Sequence, residues 1–134
     1  ILRSAAASGI RDVLLTPACA HAWSPRVLRA GMGAHFALRL YEHCDVAAFA
    51  SAYRGRLLAT VRDGADSVFD TDLRGDVGLM LGNEGAGLSE SLLELASARI
   101  SIPMPGAAES LNVAAAAAVC LFERVRQLGR TSRV

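Results

Sequence analysis

The chain has no lysine: its 134 residues carry 14 basic side chains, every one arginine, against 13 acidic ones, for a net charge of +1. So even a balance makes no electrostatic case for a nucleic-acid partner. Without lysine there is also no Gly-Lys-Ser/Thr phosphate loop. A biased genome is the simpler account of the all-arginine composition, although arginine is also the side chain that grips phosphate through two parallel hydrogen bonds. Aromatic residues are scarce, at 5%. The three cysteines, Cys19, Cys44 and Cys120, are far apart and never form a Cys-x-x-Cys pair, which argues against a zinc site and a disulfide framework. Reduced thiols suit a cytoplasmic setting. The longest apolar run, residues 111–122, is interrupted by Asn112 and falls short of the roughly 20 residues a membrane helix needs. The chain does not open on a basic-then-apolar leader. These absences set the expectation of a soluble cytoplasmic protein with no membrane and no metal.

What is present is a foldable core. Hydrophobic residues make up 52% and charged residues 20% of the chain, which excludes intrinsic disorder. A single domain of this length removes roughly 68% of its unfolded surface from water and can hold together without staples. Alanine supplies 25 of the residues, a bias that favours helices and close backbone approach.

Elements of two periods alternate along the chain. A helix is expected over 1–8, closed by Gly9, and its position at the very start anticipates further residues upstream. Val13-Leu14-Leu15 reads as a strand, Ser24-Pro25 as a helix start fading at Gly31 or Gly33, 37–41 as a strand, and Asp45 as the cap of a helix over 46–53. A strand over 56–61 precedes a polar loop over 62–76. The continuous apolar run Val77 to Leu81 predicts a central strand covered on both faces. Ser89 is expected to cap a helix over 90–96, with a last strand at 100–104. A final helix starts at Ser110, with Leu111, Ala114, Ala115, Ala118, Leu121, Phe122, Val125 and Leu128 at helical spacing, and ends at Gly129 before a polar tail. The alternation predicts an α/β fold, a parallel sheet with helices on both faces.

Two glycine-bearing turns follow the last two strands: Leu81-Gly82-Asn83-Glu84-Gly85-Ala86-Gly87 and Ile102-Pro103-Met104-Pro105-Gly106, the latter running on through Glu109, Ser110, Leu111 and Asn112. Open α/β sheets bind ligands at such strand ends. The glycine order is Gly-x-x-Gly-x-Gly and no acid ends the next strand, so the pattern departs from a dinucleotide site. A helix-leading turn that needs positive φ at its glycines is the plain structural account of Gly82, Gly85 and Gly87. Two such turns set with Asn83, Glu84, Glu109, Ser110 and Asn112 fit a nucleoside with an amino-acid arm better than a pyrophosphate. His21, His35 and His43 lack metal-ligand spacing and read as surface or loop residues. Trp23 reads as a buried loop anchor before it reads as a base-stacking platform.

Residues 81–89 and 102–114 resemble motifs two and three of the SpoU (TrmH) family of RNA ribose 2′-O-methyltransferases, of the SPOUT superfamily. Ile1-Leu2-Arg3-Ser4-Ala5 resembles the second half of that family's motif one, and residues 24–36 resemble its usual intervening segment. The motif-one Asn would fall before Ile1. The resemblance implies one catalytic domain over 1–134, lacking its first strand and any N-terminal substrate-binding domain. It implies a C-terminal trefoil knot, a homodimer with active sites at the subunit interface, S-adenosylmethionine as cofactor, and tRNA or rRNA as structured RNA substrate. An RNA-binding module that has kept the fold without catalysis is the alternative.

By the same resemblance, Arg3 is a fixed positive charge that holds the neighbouring phosphate and stabilises the developing alkoxide, since a guanidinium is a poor general base. Asn83, Glu84, Ser110 and Asn112 are expected to shape the catalytic pocket; the plain structural alternative is that Ser110 caps the last helix and Asn112 bonds a loop carbonyl, and capping does not exclude ligand contact. The cofactor is expected at Leu81, Gly82, Asn83, Gly85, Ile102, Met104, Ser110 and Leu111, held mainly by backbone. Arg26 and Arg29 are weaker candidates for RNA phosphate contacts.

Overall fold

Three of the five α-helices begin where the sequence supplies a side-chain acceptor. The structure, a computed structural model, describes residues 1–129. Its helices are α1 (Leu2–Ala7), α2 (Pro25–Gly31), α3 (Val46–Ala52), α4 (Glu90–Glu94) and α5 (Val113–Gln127), with a 3-10 turn at Ala34–Ala37. Ser24 Oγ accepts the Val27 N–H at 3.4 Å ahead of α2, and Asp45 Oδ1 accepts the Ala48 N–H at 3.1 Å ahead of α3. Ahead of α5 it is Asn112, not Ser110, that caps: its Oδ1 accepts the Ala114 N–H at 2.9 Å, so the helix starts later than the sequence predicts. Ser89 stands at the N-cap of α4 but spends its hydroxyl on Ser91, 3.1 Å away, and α4 is shorter than the expected 90–96.

The strands are β1 (Asp12–Leu14), β2 (Arg39–Tyr41), β3 (Arg56–Thr60), β4 (Asp66–Ser67), β5 (Val77–Met80) and β6 (Ala98–Ser101). β1 pairs with β2, and a four-stranded sheet runs in the order β4-β6-β3-β5; every pairing is parallel. The parallel α/β expectation therefore holds, with three corrections.

First, β5 is an edge strand of its sheet rather than a central one. It can be apolar throughout because Leu79 packs against both core clusters, one formed with β3, β6 and α5 and one with α1 and the β1-β2 pair. Second, the polar loop over 62–76 contains β4 and delivers Val68 and Leu73, both fully buried, to the core. Third, β6 stops at Ser101 instead of reaching 104, because Pro103 and Pro105 have no N–H to donate to a ladder.

α5 is buried on two sides, which explains why its single expected stripe fails. Cys120 joins Leu58, Val68, Leu73 and Ile100 in one cluster, while Leu121 joins Ala5, Ala34 and Leu38 in the other. Ala117 is buried, whereas Ala115 and Phe122 of the expected face are exposed. The polar tail expected after Gly129 lies outside the described residues.

Candidate active site

Because β3 lies between β5 and β6, its carboxyl end is flanked by the two glycine turns, which follow strands that are not neighbours in the sheet. The three strand ends enclose a cavity of 460 Å³. The end of β3 is pinned on both sides. Thr60 Oγ1 donates to the Met80 carbonyl at 2.9 Å on the β5 side, and the Val61 N–H donates to the Ile100 carbonyl at 2.9 Å on the β6 side. The end of β3 and the residues after it thereby supply Thr60, Val61 and Arg62 to the wall, which the sequence reading missed. The available signal was positional: a strand paired on both sides puts its own following loop between its neighbours' loops.

The first turn is closed on itself. The Gly87 N–H donates to the Asn83 carbonyl at 3.1 Å, and Asn83 Oδ1 accepts the Ala86 N–H at 2.8 Å. Of its three glycines, only Gly87 has positive φ, at 68°. Gly82 is needed for a different reason, since a Cβ there would run into the Gly87-Leu88 backbone. Gly85 has no positive φ and a Cβ there would meet nothing within 4 Å, so the expectation that Gly85 needs glycine's conformational freedom is corrected.

The second turn is joined to the first by one side-chain contact, in which Asn112 Nδ2 donates to Glu84 Oε1. Asn112 thus does two jobs, holding the start of α5 with its oxygen and the Glu84 carboxylate with its nitrogen; the expected bond to a loop carbonyl is not the one it makes. Gly82, Asn83, Glu84, Gly85, Ile102, Met104, Ser110 and Leu111 all line the cavity, and Glu109 lines it too. Leu81 and Asn112 are not among the lining residues, though each is next in the chain to one that is. At the apolar end Cys120 carries a thiol pushed up to about 11 by burial, so it is neutral at physiological pH.

Arg3 is placed elsewhere. It is exposed on α1, outside the wall of its own chain's cavity. Arg26 and Arg29 are exposed on α2 and also stand apart from the cavity. Two other expectations are corrected nearby. His35 is buried at 3% exposure, its Nε2 within 2.6 Å of the Ala22 carbonyl. Trp23 is 46% exposed, its ring tilted over that of His35 at 5.1 Å, and so is not a buried anchor. His35 takes the buried place because the side-chain-free face of Gly31 leaves room for its ring.

A parallel α/β sheet with a ligand-sized cavity at its carboxyl strand ends, walled by two glycine turns, defines a nucleoside- or cofactor-binding α/β domain. The chain belongs to the SpoU rRNA Methylase family, which matches residues 1–122. It is 37% identical, over 98% of its length and 50% of the relative's, to the 23S rRNA (uridine(2479)-2′-O)-methyltransferase of Streptomyces viridochromogenes. The structure of the SpoU methyltransferase AviRb from that organism, in complex with AdoMet, superposes with a TM-score of 0.89 at 34% identity, over 98% of this chain and 52% of that one. A structure concerned with the 2-OH methylation of C/U34 on tRNA superposes with a TM-score of 0.83 at 36% identity, over 96% of this chain and 86% of that one. The chain spans about half the length of these and other curated relatives that it matches. Among the described residues no helix is long and apolar enough to cross a membrane, and no group of three metal-ligating side chains is gathered.

Proposed function

We propose that the protein transfers a methyl group from S-adenosylmethionine to a ribose 2′-hydroxyl of structured RNA, tRNA or rRNA. The observation that carries this is the cavity formed where both glycine turns meet the end of β3, in a family whose members include AdoMet-bound methyltransferases. Its 460 Å³ falls within the roughly 300–1,000 Å³ range of small-molecule and cofactor sites. Its wall offers apolar Ile100, Ile102 and Leu93 for a flat base, and exposed backbone and carboxylates for a cationic arm.

When bound, S-adenosylmethionine supplies an electrophilic methyl on a sulfonium. The chain's residues must align the ribose with it and stabilise the charge that grows on the attacking oxygen. Glu84, which Asn112 steadies, and Ser110 line the cavity, and in this reading they shape the place where the two meet. Arg3 supplies a fixed positive charge for the phosphate and the alkoxide. It stands outside its own cavity, so it acts in the cavity of a second copy; the reading therefore includes a homodimer with shared sites. It also includes the trefoil knot of this family, and a chain that is the catalytic domain of a longer cytoplasmic protein whose other part recruits the RNA. Arg26 and Arg29, exposed on α2, are then available to RNA phosphates.

The test is methyl transfer by the full-length protein from tritium-labelled S-adenosylmethionine to RNA of cells lacking the gene, with 2′-O-methyl positions mapped in cells with and without it. Label at one ribose that is unmethylated in the deletion strain is the expected result. Cofactor and RNA binding with no transfer to any RNA would leave the silent binding module as the reading.

A further inference from the structure

Arg62 is the sole basic side chain on the cavity wall, where the carboxylates are Glu84 and Glu109. Among the described residues Arg62 makes no hydrogen bond and no ion pair, unlike Arg39, Arg74, Arg99 and Arg126, which are each matched to an acid. It is also well anchored. The residue two before it and the residue next to it are bonded to β5 and β6, at Thr60 and Val61. Three residues later the Ala65 carbonyl accepts Ser101 Oγ at 3.3 Å, and β4 then pairs with β6. A guanidinium on so short a tether, at the rim of a cavity, is available to a ligand instead of a neighbour.

We propose that Arg62 binds the α-carboxylate of the amino-acid arm of the methyl donor. The inference rests on the cofactor reading above and adds the group that orients the arm. A donor of this class carries an ammonium and a sulfonium, which suit the two carboxylates of the wall, and a single carboxylate, which suits the single guanidinium. The pairing sets the arm's direction and favours ligands that keep the carboxylate over nucleosides that lack it.

The experiment is calorimetric titration of the full-length protein and its Arg62→Ala and Arg62→Lys variants with two probes, S-adenosylhomocysteine and 5′-methylthioadenosine, which lacks the amino-acid arm. Arg62 is exposed and makes no hydrogen bond or ion pair among the described residues, so truncation tests binding. Arg62→Ala is expected to weaken S-adenosylhomocysteine about tenfold, the scale of one charge-assisted bond, and to leave 5′-methylthioadenosine within twofold. Arg62→Lys is expected to recover most of the loss. Equal weakening of both probes, or of neither, overturns the assignment, as does lost RNA affinity with unchanged affinity for both probes. If the unmutated protein binds neither probe, the cofactor reading itself falls, and that outcome is distinct from failure of Arg62 alone.

Discussion

The two core clusters are built from different material. Around the cavity the interior is large and dry: Leu58, Val68, Leu73, Ile100 and Cys120 are each at most 1% exposed. Beneath α1 and the 3-10 turn it is thin, with Ala5, Ala34, Leu38 and Leu121 at 4–9% exposure. There the large apolar side chains stand outside, Met32 at 72% and Phe36 at 92% exposed. The first region stiffens the strand ends that hold the two turns. The second carries Arg3 and leaves apolar surface unspent by its own core, the arrangement expected of a part that works against another molecule. The cavity and Arg3, the cation proposed for catalysis, thus belong to separate regions of one chain.

The sharpest test of that separation is Arg3→Ala. It should cost methyl transfer on the order of 100- to 1000-fold, as removal of one electrostatic stabiliser does, while S-adenosylhomocysteine affinity stays within a few fold. Single-turnover rates with cofactor saturating provide the measurement. An equal loss of cofactor affinity would put Arg3 in the cavity after all.

Next in size is the contrast between the two interiors. Leu58→Ala should destabilise by about 2–5 kcal/mol, the usual cost of emptying a fully buried aliphatic site, whereas Phe36→Ser should change the stability of the monomeric unit by under about 0.5 kcal/mol. Urea denaturation curves of the two variants measure both.

Within the cavity region, Gly82→Ala and Gly85→Ala separate steric need from mere membership of the motif. The Gly82 variant should lose at least about tenfold in S-adenosylhomocysteine affinity, because the turn must open to admit a methyl group against its own backbone. The Gly85 variant should bind within about twofold of wild type. Similar affinities for the two would mean that the turn is softer than its geometry implies.

The smallest effect concerns the far end of α5. Hydrogen bonds from Arg126 and Gln127 hold the Glu123 carboxyl down to about 2 from its ordinary 4.5. Gln127 in turn bonds the Thr71 carbonyl and the Leu73 N–H, tying α5 to the segment after β4. A depressed folded-state value contributes stability that is present above about 4.5 and lost as pH falls toward 2. Glu123→Gln should therefore lower the denaturation midpoint at pH 6 and converge with wild type near pH 2; a gap independent of pH would sink the assignment.

Much of this was legible in the sequence. The alternation of periods, the caps at Ser24 and Asp45, the apolar run at 77–81 and the two turns are local signals, set by propensity and spacing over a few residues. The turns and their polar residues locate the cavity because ligands of parallel sheets gather at strand ends, whatever the order of the strands. Arg62 was not legible, and neither was the burial of Val68 and Leu73 in a segment that reads as polar loop.

The sequence by itself determined most of the elements and the two turns that wall the cavity, since a Gly, a Pro or a capping residue acts on its own backbone neighbours. Strand order belongs to the tertiary structure alone. Placing β3 between β5 and β6 is a long-range packing decision, made by Leu58 and Ile100 meeting Cys120 of α5. That decision brought Arg62 to the wall, moved β5 to an edge and let Asn112 reach Glu84 from 28 residues away. It also left Arg3 outside, because the helix that bears it is bound to the other interior.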